Sequence, residues 1–146
     1  MSKISIIYGT ESGNSEMAAD DISDTLKEAG FDTSIFAMEN FEINTLVGSE
    51  KVILISSTFG EGEFPETTLP FYDALNTDKP DLTSLQFAAF GLGDSTYENY
   101  NNAIDSLVGI FSELGATQIG HTGKHDAGKG EDLTHTAITW TQAIFN

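Results

Sequence analysis

The stretch that decides the fold is Ile4-Ser5-Ile6-Ile7-Tyr8-Gly9-Thr10-Glu11-Ser12-Gly13-Asn14-Ser15. An apolar run is followed at once by hydroxyls, an amide and glycines, which predicts a buried strand that turns into a helix. Backbone N–H groups and the positive end of the helix dipole meet at such a turn, so it can hold an anion. The loop has no Lys or Arg, so N–H groups and hydroxyls alone would hold that anion.

Length and composition predict one globular domain that spans residues 1–146. The chain has no cysteine, which excludes disulfides, thiolate-bound zinc, iron–sulfur clusters and a cysteine nucleophile. The first residues do not resemble a signal peptide, and no apolar run is long enough to cross a membrane. A cytoplasmic location is therefore expected.

The charge is strongly acidic. Six Lys, no Arg and 23 Asp plus Glu give a formal net charge of −17. Such a surface repels nucleic acid and anionic membranes, and it attracts basic partners over long distances. Solubility, or adaptation to a salty habitat, would explain the same charge equally well.

Short apolar runs alternate with amphipathic stretches along the chain. The runs predict five strands: Ile4–Tyr8, Thr33–Phe36, Val52–Ser56, Phe87–Phe90 and Gln118–Thr122. Apolar stripes predict three helices, with Gly30 and Gly115 as the stops of the first two: Met17, Ile22, Leu26 and Ala29; Ile104, Leu107, Phe111 and Leu114; Leu133, Ala137, Trp140 and Ile144. A shorter helix is expected over Leu69–Leu75, behind Pro65 and Pro70.

This alternation predicts an α/β fold, a doubly wound five-stranded parallel sheet with helices on both faces. The length fits the strand order 2-1-3-4-5. In such sheets ligands bind beyond the carboxyl ends of the strands, so the loops after the first, third and fourth strands should carry the chemistry.

The loops after the third and fourth strands share a pattern. Ser56-Ser57-Thr58-Phe59-Gly60-Glu61-Gly62-Glu63 and Gly91-Leu92-Gly93-Asp94-Ser95-Thr96-Tyr97-Glu98-Asn99-Tyr100 each combine a glycine pair with an aromatic residue. Either loop alone is also typical of a plain tight turn with an exposed ring. Together with the anion site, they favour a flat ring on a phosphorylated tail, held between Phe59 and Tyr97.

Other nucleotide chemistries lack the residues that they need. Gly13-Asn14-Ser15 has no lysine where a nucleoside-triphosphate P-loop requires one. Only Gly9 and Gly13 are present where a dinucleotide fingerprint needs three spaced glycines. A phospho-accepting receiver domain would have Asp where Ser57-Thr58 stand.

The chain resembles a flavodoxin of the short-chain type over essentially all 146 residues. The loops are most similar to those of the FMN domain of cytochrome P450 reductase and sulfite reductase flavoproteins. The shared segments are Thr58-Phe59-Gly60-Glu61-Gly62, Leu92-Gly93-Asp94-Ser95-Thr96-Tyr97-Glu98 and Gly130-Glu131-Asp132-Leu133 with Trp140.

The resemblance implies FMN as the cofactor. Thr10, Glu11, Ser12, Gly13, Asn14 and Ser15 would hold its phosphate. Phe59 and Tyr97 would flank the isoalloxazine, with Tyr97 as the outer stack. Gly60 would offer its carbonyl to the reduced ring. The remaining expected contacts are Ser57, Thr58, Leu92, Gly93, Asp94, Asn99, Tyr100, Asn101 and, on a loose alignment, Asp126.

The function implied is that of a low-potential one-electron carrier, a semiquinone/hydroquinone shuttle with no catalytic residue and no metal. Carboxylates near the ring, such as Glu61, Glu63, Asp94 and Glu98, would disfavour the anionic hydroquinone. The expected partners are basic-faced redox proteins: a flavodoxin/ferredoxin reductase as donor and a reductase or P450-type acceptor. A monomer is expected, with no nucleic-acid or membrane partner.

Three alternatives stay open. They are a dedicated accessory flavoprotein that serves one enzyme, an NAD(P)H–quinone oxidoreductase on the same fold, and a domain of this fold that binds no flavin.

Several conspicuous residues are interpreted as structural. His121, His125 and His135 are expected on the solvated surface, and Asp20-Asp21 on an exposed helix face. Tyr8, Phe71 and Trp140 are expected to pack.

Overall fold

The fold alternates strands and helices along the chain. The computed structural model of the chain describes residues 3–9, 13–58, 64–93 and 101–145. The strands are β1 (Lys3–Gly9), β2 (Asp32–Ala37), β3 (Lys51–Ser57), β4 (Gln86–Gly93), β5 (Thr117–Gln118) and β6 (Gly123–Asp126). The helices are α1 (Asn14–Glu28), α2 (Asn44–Val47), α3 (Leu69–Asp78), α4 (Asn102–Glu113) and α5 (Leu133–Phe145), with 3₁₀ turns at Met38–Asn40 and Ala127–Lys129.

The strands form a parallel sheet in the order β2-β1-β3-β4-β5, which confirms the predicted topology. β3 lies at the centre, and residues 52–56 are buried without a break. Such a run, apolar on both faces, is what a strand between two layers of helices requires. Because the strands are parallel, the carboxyl ends of β1, β3, β4 and β6 meet at one edge of the sheet.

The predicted strand Gln118–Thr122 is wrong. The chain instead forms two short strands, β5 and β6, which both pair with β4. Phe87 pairs with Gln118, and Phe90 pairs with Gly123. Between these two pairs β4 runs three residues, whereas the chain from β5 to β6 runs five. The two extra residues form a bulge, and Gly120 within it has a positive φ of 67°.

Two apolar cores lie on opposite faces of the sheet. α3, α4 and the short α2 cover one face, and α1 and α5 cover the other. Phe71 and Trp140 are buried, as predicted. Trp140 also donates from Nε1 to the carbonyl oxygen of His121, at 3.1 Å, so the bulge on the sheet edge supplies a partner for the buried indole.

The predicted apolar stripe of α1 is wrong at both ends. Met17 is 48% exposed and Ala29 is exposed, while Ala18 and Ala19 are fully buried beside Ile22. Because the side chains that face the sheet are small, α1 can lie close to the sheet. The helix does end where predicted, because Gly30 adopts a φ of 97° that other residues rarely take.

No helix within residues 3–9, 13–58, 64–93 and 101–145 is long and apolar enough to cross a membrane.

Two glycines provide a matched test of the packing between β4 and α4. A methyl group on Gly91 would collide with the side chain of Ile104 and lie 2.6 Å from Oδ1 of Asn101. We expect Gly91→Ala to lower the free energy of unfolding by about 1–3 kcal/mol, measured by urea denaturation. Gly109→Ala, on the exposed side of α4 with nothing within 4 Å, should raise it by up to about 1 kcal/mol. Equal effects at the two positions would contradict this packing.

Candidate cofactor site

The predicted site residues divide into two groups. The structure describes Gly13, Asn14, Ser15, Ser57, Thr58, Leu92, Gly93, Asn101 and Asp126. Nine others lie outside the described residues: Thr10, Glu11, Ser12, Phe59, Gly60, Asp94, Tyr97, Asn99 and Tyr100. The described group lies where β1, β3, β4 and β6 end or where α1 and α4 begin, so all its members belong to the carboxyl edge of the sheet.

The anion end of the site lies at the start of α1. Gly13 caps the helix in the left-handed conformation, with φ 87°. The first helical bond runs from the Met17 N–H to the Gly13 carbonyl, so the N–H groups of residues 14–16 precede it. The hydroxyl of Ser15 is buried with no hydrogen-bond partner in the described part of the chain. A buried hydroxyl beside these N–H groups suits a bound phosphate.

Tyr8 and Glu16 bracket this turn. Tyr8 lies near the end of β1 and its hydroxyl donates to Glu16 Oε2 in the first turn of α1, at 2.9 Å. Partial burial raises the pKa of the Tyr8 phenol above its ordinary value, and the hydrogen bond and charge of Glu16 raise it further. The carboxylates of Asp20 and Glu39 act on this pKa in the same direction. The carboxylates of Glu16, Asp20 and Glu39 therefore all lie close enough to act on the Tyr8 phenol.

Thr58 connects β3 with β4 and α4. Its N–H donates to the carbonyl oxygen of Leu92 at 2.9 Å, and its Oγ1 accepts from the N–H of Ala103 at 3.0 Å. Ser56, two residues earlier, shares a buried hydrogen bond with Thr68 at the start of α3. The end of β3 thus fixes the starts of two helices.

Asn101 supplies a second buried polar group without a partner. It precedes α4 in the left-handed conformation, with φ 59°, and is fully buried. Neither its Oδ1 nor its Nδ2 has a hydrogen-bond partner among the described residues. A Cβ at Gly93 would lie 3.1 Å from Oδ1 of Asn101, so the amide lies against the end of β4. It can offer both a donor and an acceptor there.

β6 brings Asp126 beside Gly93, its register partner in β4. Asp126 is 3% exposed, and its Oδ1 accepts from the N–H of Gly128 at 2.9 Å. Glu131 holds the same segment, because its Oε1 accepts from the N–H of Asp126 at 2.9 Å. Sequence reasoning did not assign this role to Glu131, although the residue lies in the quoted Gly130-Glu131-Asp132-Leu133 segment.

The prediction of an exposed His125 is wrong. The side chain is 8% exposed, and its Nε2 is 2.8 Å from the carbonyl oxygen of Glu131, which Nε2–H donates to. His121 and His135 are exposed, as predicted. Asp21 also has a structural contact, because it accepts from the hydroxyl of Thr134 and joins α1 to α5. Within the described ranges, no three metal-ligating side chains cluster.

These residues fit a ligand with two different ends. Ser15 and the start of α1 suit an anion, and Asn101 with the end of β4 suits the polar edge of a ring. Among the described residues, this hydroxyl and this amide have no partners, and a bound molecule could supply them, since buried polar groups are seldom left unpaired. The fold and these polar groups define a doubly wound α/β protein whose carboxyl sheet edge can hold a ligand with an anionic end and a polar edge.

Comparisons with known proteins identify the family. The family profile described as Flavodoxin matches residues 6–140. Protein MioC of Escherichia coli is 37% identical over 122 residues, which cover 84% of this chain and 82% of MioC. The sulfite reductase (NADPH) flavoprotein alpha-component of a serogroup B Neisseria meningitidis is 33% identical over 97% of this chain, which spans 23% of that protein.

Solved structures agree with these relatives. Oxidised flavodoxin 2 from Bacillus cereus is 29% identical and superposes with a TM-score of 0.86, over 97% of each chain. A short-chain flavodoxin associated with a non-canonical PDU bacterial microcompartment superposes with a TM-score of 0.85, at 25% identity and over 99% of this chain and 97% of its own. The chain belongs to the flavodoxin family, and it is an FMN-dependent electron carrier.

Ser15 provides a test of the anion end. In the protein without FMN, Ser15→Ala removes an unpartnered buried hydroxyl, so we expect the free energy of unfolding to stay unchanged or rise by about 1 kcal/mol. FMN affinity should fall about tenfold or more, because a hydrogen bond to a charged phosphate is lost. Fluorescence titration with FMN measures the second effect.

Ser23→Ala is the matched control. Ser23 is also buried in α1, but its hydroxyl is 2.6 Å from that of Thr33. This variant should lose about 1 kcal/mol of stability and keep its FMN affinity. Unchanged FMN affinity in Ser15→Ala would remove Ser15 from the site.

Proposed function

We propose that this chain is a low-potential one-electron carrier that takes electrons from a reductase and passes them to acceptor redox proteins. The observation that supports it most strongly is a cofactor site whose anion end has neutral partners and whose surroundings are acidic. The neutral partners of the anion are Ser15 and backbone N–H groups at the start of α1. The acidic surroundings include Glu16, Asp20 and Asp126. The proposal takes all 146 residues as one FMN-binding domain that works as a monomer.

Bound FMN supplies the redox chemistry, and the protein sets how readily it accepts each electron. The residues at the start of α1 would bind its phosphate. Asn101 and the end of β4 would bind the ring edge, with Phe59 and Tyr97 as the flanking rings. Negative charge nearby disfavours further negative charge on the cofactor, so the carboxylates should lower the second of the two one-electron potentials.

We propose no general acid, base or nucleophile in this site, because transfer of an electron requires none. An NAD(P)H–quinone oxidoreductase would also bind FMN on this fold, but it must accept a hydride in a two-electron step. The number of electrons taken up in each step therefore separates the two functions.

A redox titration of the FMN-loaded protein tests the carrier. We expect two separate one-electron steps, followed by visible absorbance at controlled potential. Tyr97→Ala should weaken FMN binding and raise the second potential, while Tyr97→Phe, which keeps the ring, should leave both nearly unchanged. A single two-electron step in the unchanged protein would contradict the carrier and favour the oxidoreductase.

The distribution of lysines supports a basic partner. Lys3 and Lys51 begin strands, while Lys27 and Lys79 lie at the ends of helices that run back from the cofactor edge. These four cations therefore lie at the edge of the sheet opposite the cofactor site. The other two lysines lie at the cofactor edge, where Lys124 is paired with Asp105 at 3.2 Å and Lys129 is exposed in the 3₁₀ turn after β6.

Acidic side chains lie at both edges of the sheet: Glu28, Asp32 and Asp78 lie at the same edge as the four lysines, and others lie at the cofactor edge. Residues there include Glu16, Asp20, Glu39, Glu66, Glu131 and Asp132. A charge separation of this kind would orient an approaching basic protein toward the cofactor.

A pair of charge reversals tests this orientation. Asp20→Lys, near the cofactor edge, and Asp78→Lys, at the opposite end of α3, change the net charge equally. At low ionic strength, Asp20→Lys should slow the reduction of cytochrome c, a basic probe acceptor, about twofold or more, and Asp78→Lys should have a smaller effect. Stopped-flow rates measure both.

High salt should remove the difference between the two variants, because it screens exposed charges. Equal slowing by the two variants at low salt would mean that net charge alone matters, and it would contradict an oriented basic partner.

A further inference from the structure

Thr58 makes hydrogen bonds next to both of the segments that are expected to flank the cofactor ring. It directly precedes residues 59–63, which carry Phe59. Its N–H bonds to Leu92, two residues before the segment 94–100, and its Oγ1 bonds to Ala103, just after that segment. One residue thus holds both ends of the segment that carries Tyr97.

The bond to Ala103 replaces a local helix cap. A helix-capping side chain ordinarily belongs to the residue before the helix and accepts from an N–H of the first turn. Asn101 stands at that position in α4, but it is in the left-handed conformation and its side chain makes no capping bond. Thr58, 45 residues earlier in the chain, supplies the acceptor instead. The amide of Asn101 is thereby left for the cofactor edge, where it is buried.

The geometry of the Thr58 hydroxyl separates two roles. As a ligand, the hydroxyl would act directly on FMN. As a cap, it accepts from the Ala103 N–H at 3.0 Å. The backbone N–H of Thr58 also donates to the Leu92 carbonyl oxygen at 2.9 Å, so contacts with both α4 and β4 hold the residue. Its half-buried side chain lies under the first turn of α4, which is a structural position.

We propose that Thr58 is a positioning residue that fixes the end of β3 relative to the end of β4 and the start of α4, and that its hydroxyl acts through α4 and not as a ligand of FMN. In the sequence, Thr58 directly precedes Phe59, and its two bonded partners, Leu92 and Ala103, lie on either side of Tyr97. The predicted change in the redox potentials rests on the proposed function, whereas the predicted change in hydrogen exchange of the FMN-free protein does not.

Three variants test the proposal. Thr58→Val keeps the shape of the side chain and removes the acceptor, and Thr58→Ser keeps the hydroxyl. Thr136→Val is the matched control, because it makes the same chemical change at a half-buried threonine of α5 whose hydroxyl donates to the carbonyl oxygen of Asp132. Each variant is measured without FMN by hydrogen exchange, and with FMN by fluorescence titration and redox titration.

Without FMN, Thr58→Val should speed amide exchange at Ala103 and across the first turn of α4 by about tenfold, since a lost cap weakens that turn. Thr58→Ser should restore exchange to within about twofold of the unchanged chain, and Thr136→Val should leave this region unaffected. With FMN, Thr58→Val should raise the dissociation constant about tenfold and shift both one-electron potentials, and Thr58→Ser should reverse both changes.

The outcomes separate the proposal from its rivals. If Thr58→Val weakens FMN binding but leaves exchange at Ala103 and over the first turn of α4 unchanged in the FMN-free protein, the hydroxyl is a ligand and the proposal is wrong. If Thr58→Ser, which keeps the hydroxyl, changes exchange as much as Thr58→Val does, the hydroxyl is not sufficient to fix this junction and the proposal is wrong. If the unchanged protein takes up no FMN, the proposed function fails, yet hydrogen exchange still decides the role of Thr58.

Discussion

The parallel direction of the strands is the constraint on which the rest of the structure depends. It sends every strand toward the same edge of the sheet, so each connection must return along a face of the sheet before the next strand begins. The helices therefore cover both faces, and β3 is buried along residues 52–56. The same geometry brings together side chains that are far apart in the sequence, including Ser15, Thr58 and Asp126.

At that edge the protein combines neutral contacts for an anion with an acidic surrounding. A lysine in the turn before α1 would strengthen phosphate binding, but it would also add positive charge beside the cofactor. The sequence has no cation there, and it places four of its six lysines at the other end of the sheet. Affinity would then come from helix N–H groups and hydroxyls. The acidic field would be left to act on the cofactor potentials and on partners.

Sequence periodicity predicted most of the fold and failed at identifiable places. Four of the five predicted strands are present, since long apolar runs bounded by polar turns have few alternatives. The prediction for Gln118–Thr122 failed because the pairing of this run depends on β4 and on Trp140, whose indole N–H donates to the carbonyl oxygen of His121 in the bulge. The α1 stripe failed because Met17 is apolar but exposed, while small alanines make the contact with the sheet. Hydrophobicity alone gives alanine little weight.

The sequence by itself determined the strand order and the family, because apolar runs define the strands and the loop motifs resemble those of flavodoxins; it also predicts which loops bind the cofactor. The tertiary structure decided which polar groups in those loops are already bonded and which are left for a ligand. The Thr58 hydroxyl bonds to α4, His125 is buried against the Glu131 carbonyl, and Ser15 and Asn101 have no partners within the described residues. Hydrogen bonds between residues separated by dozens of positions leave no local signature, so only the folded chain shows them.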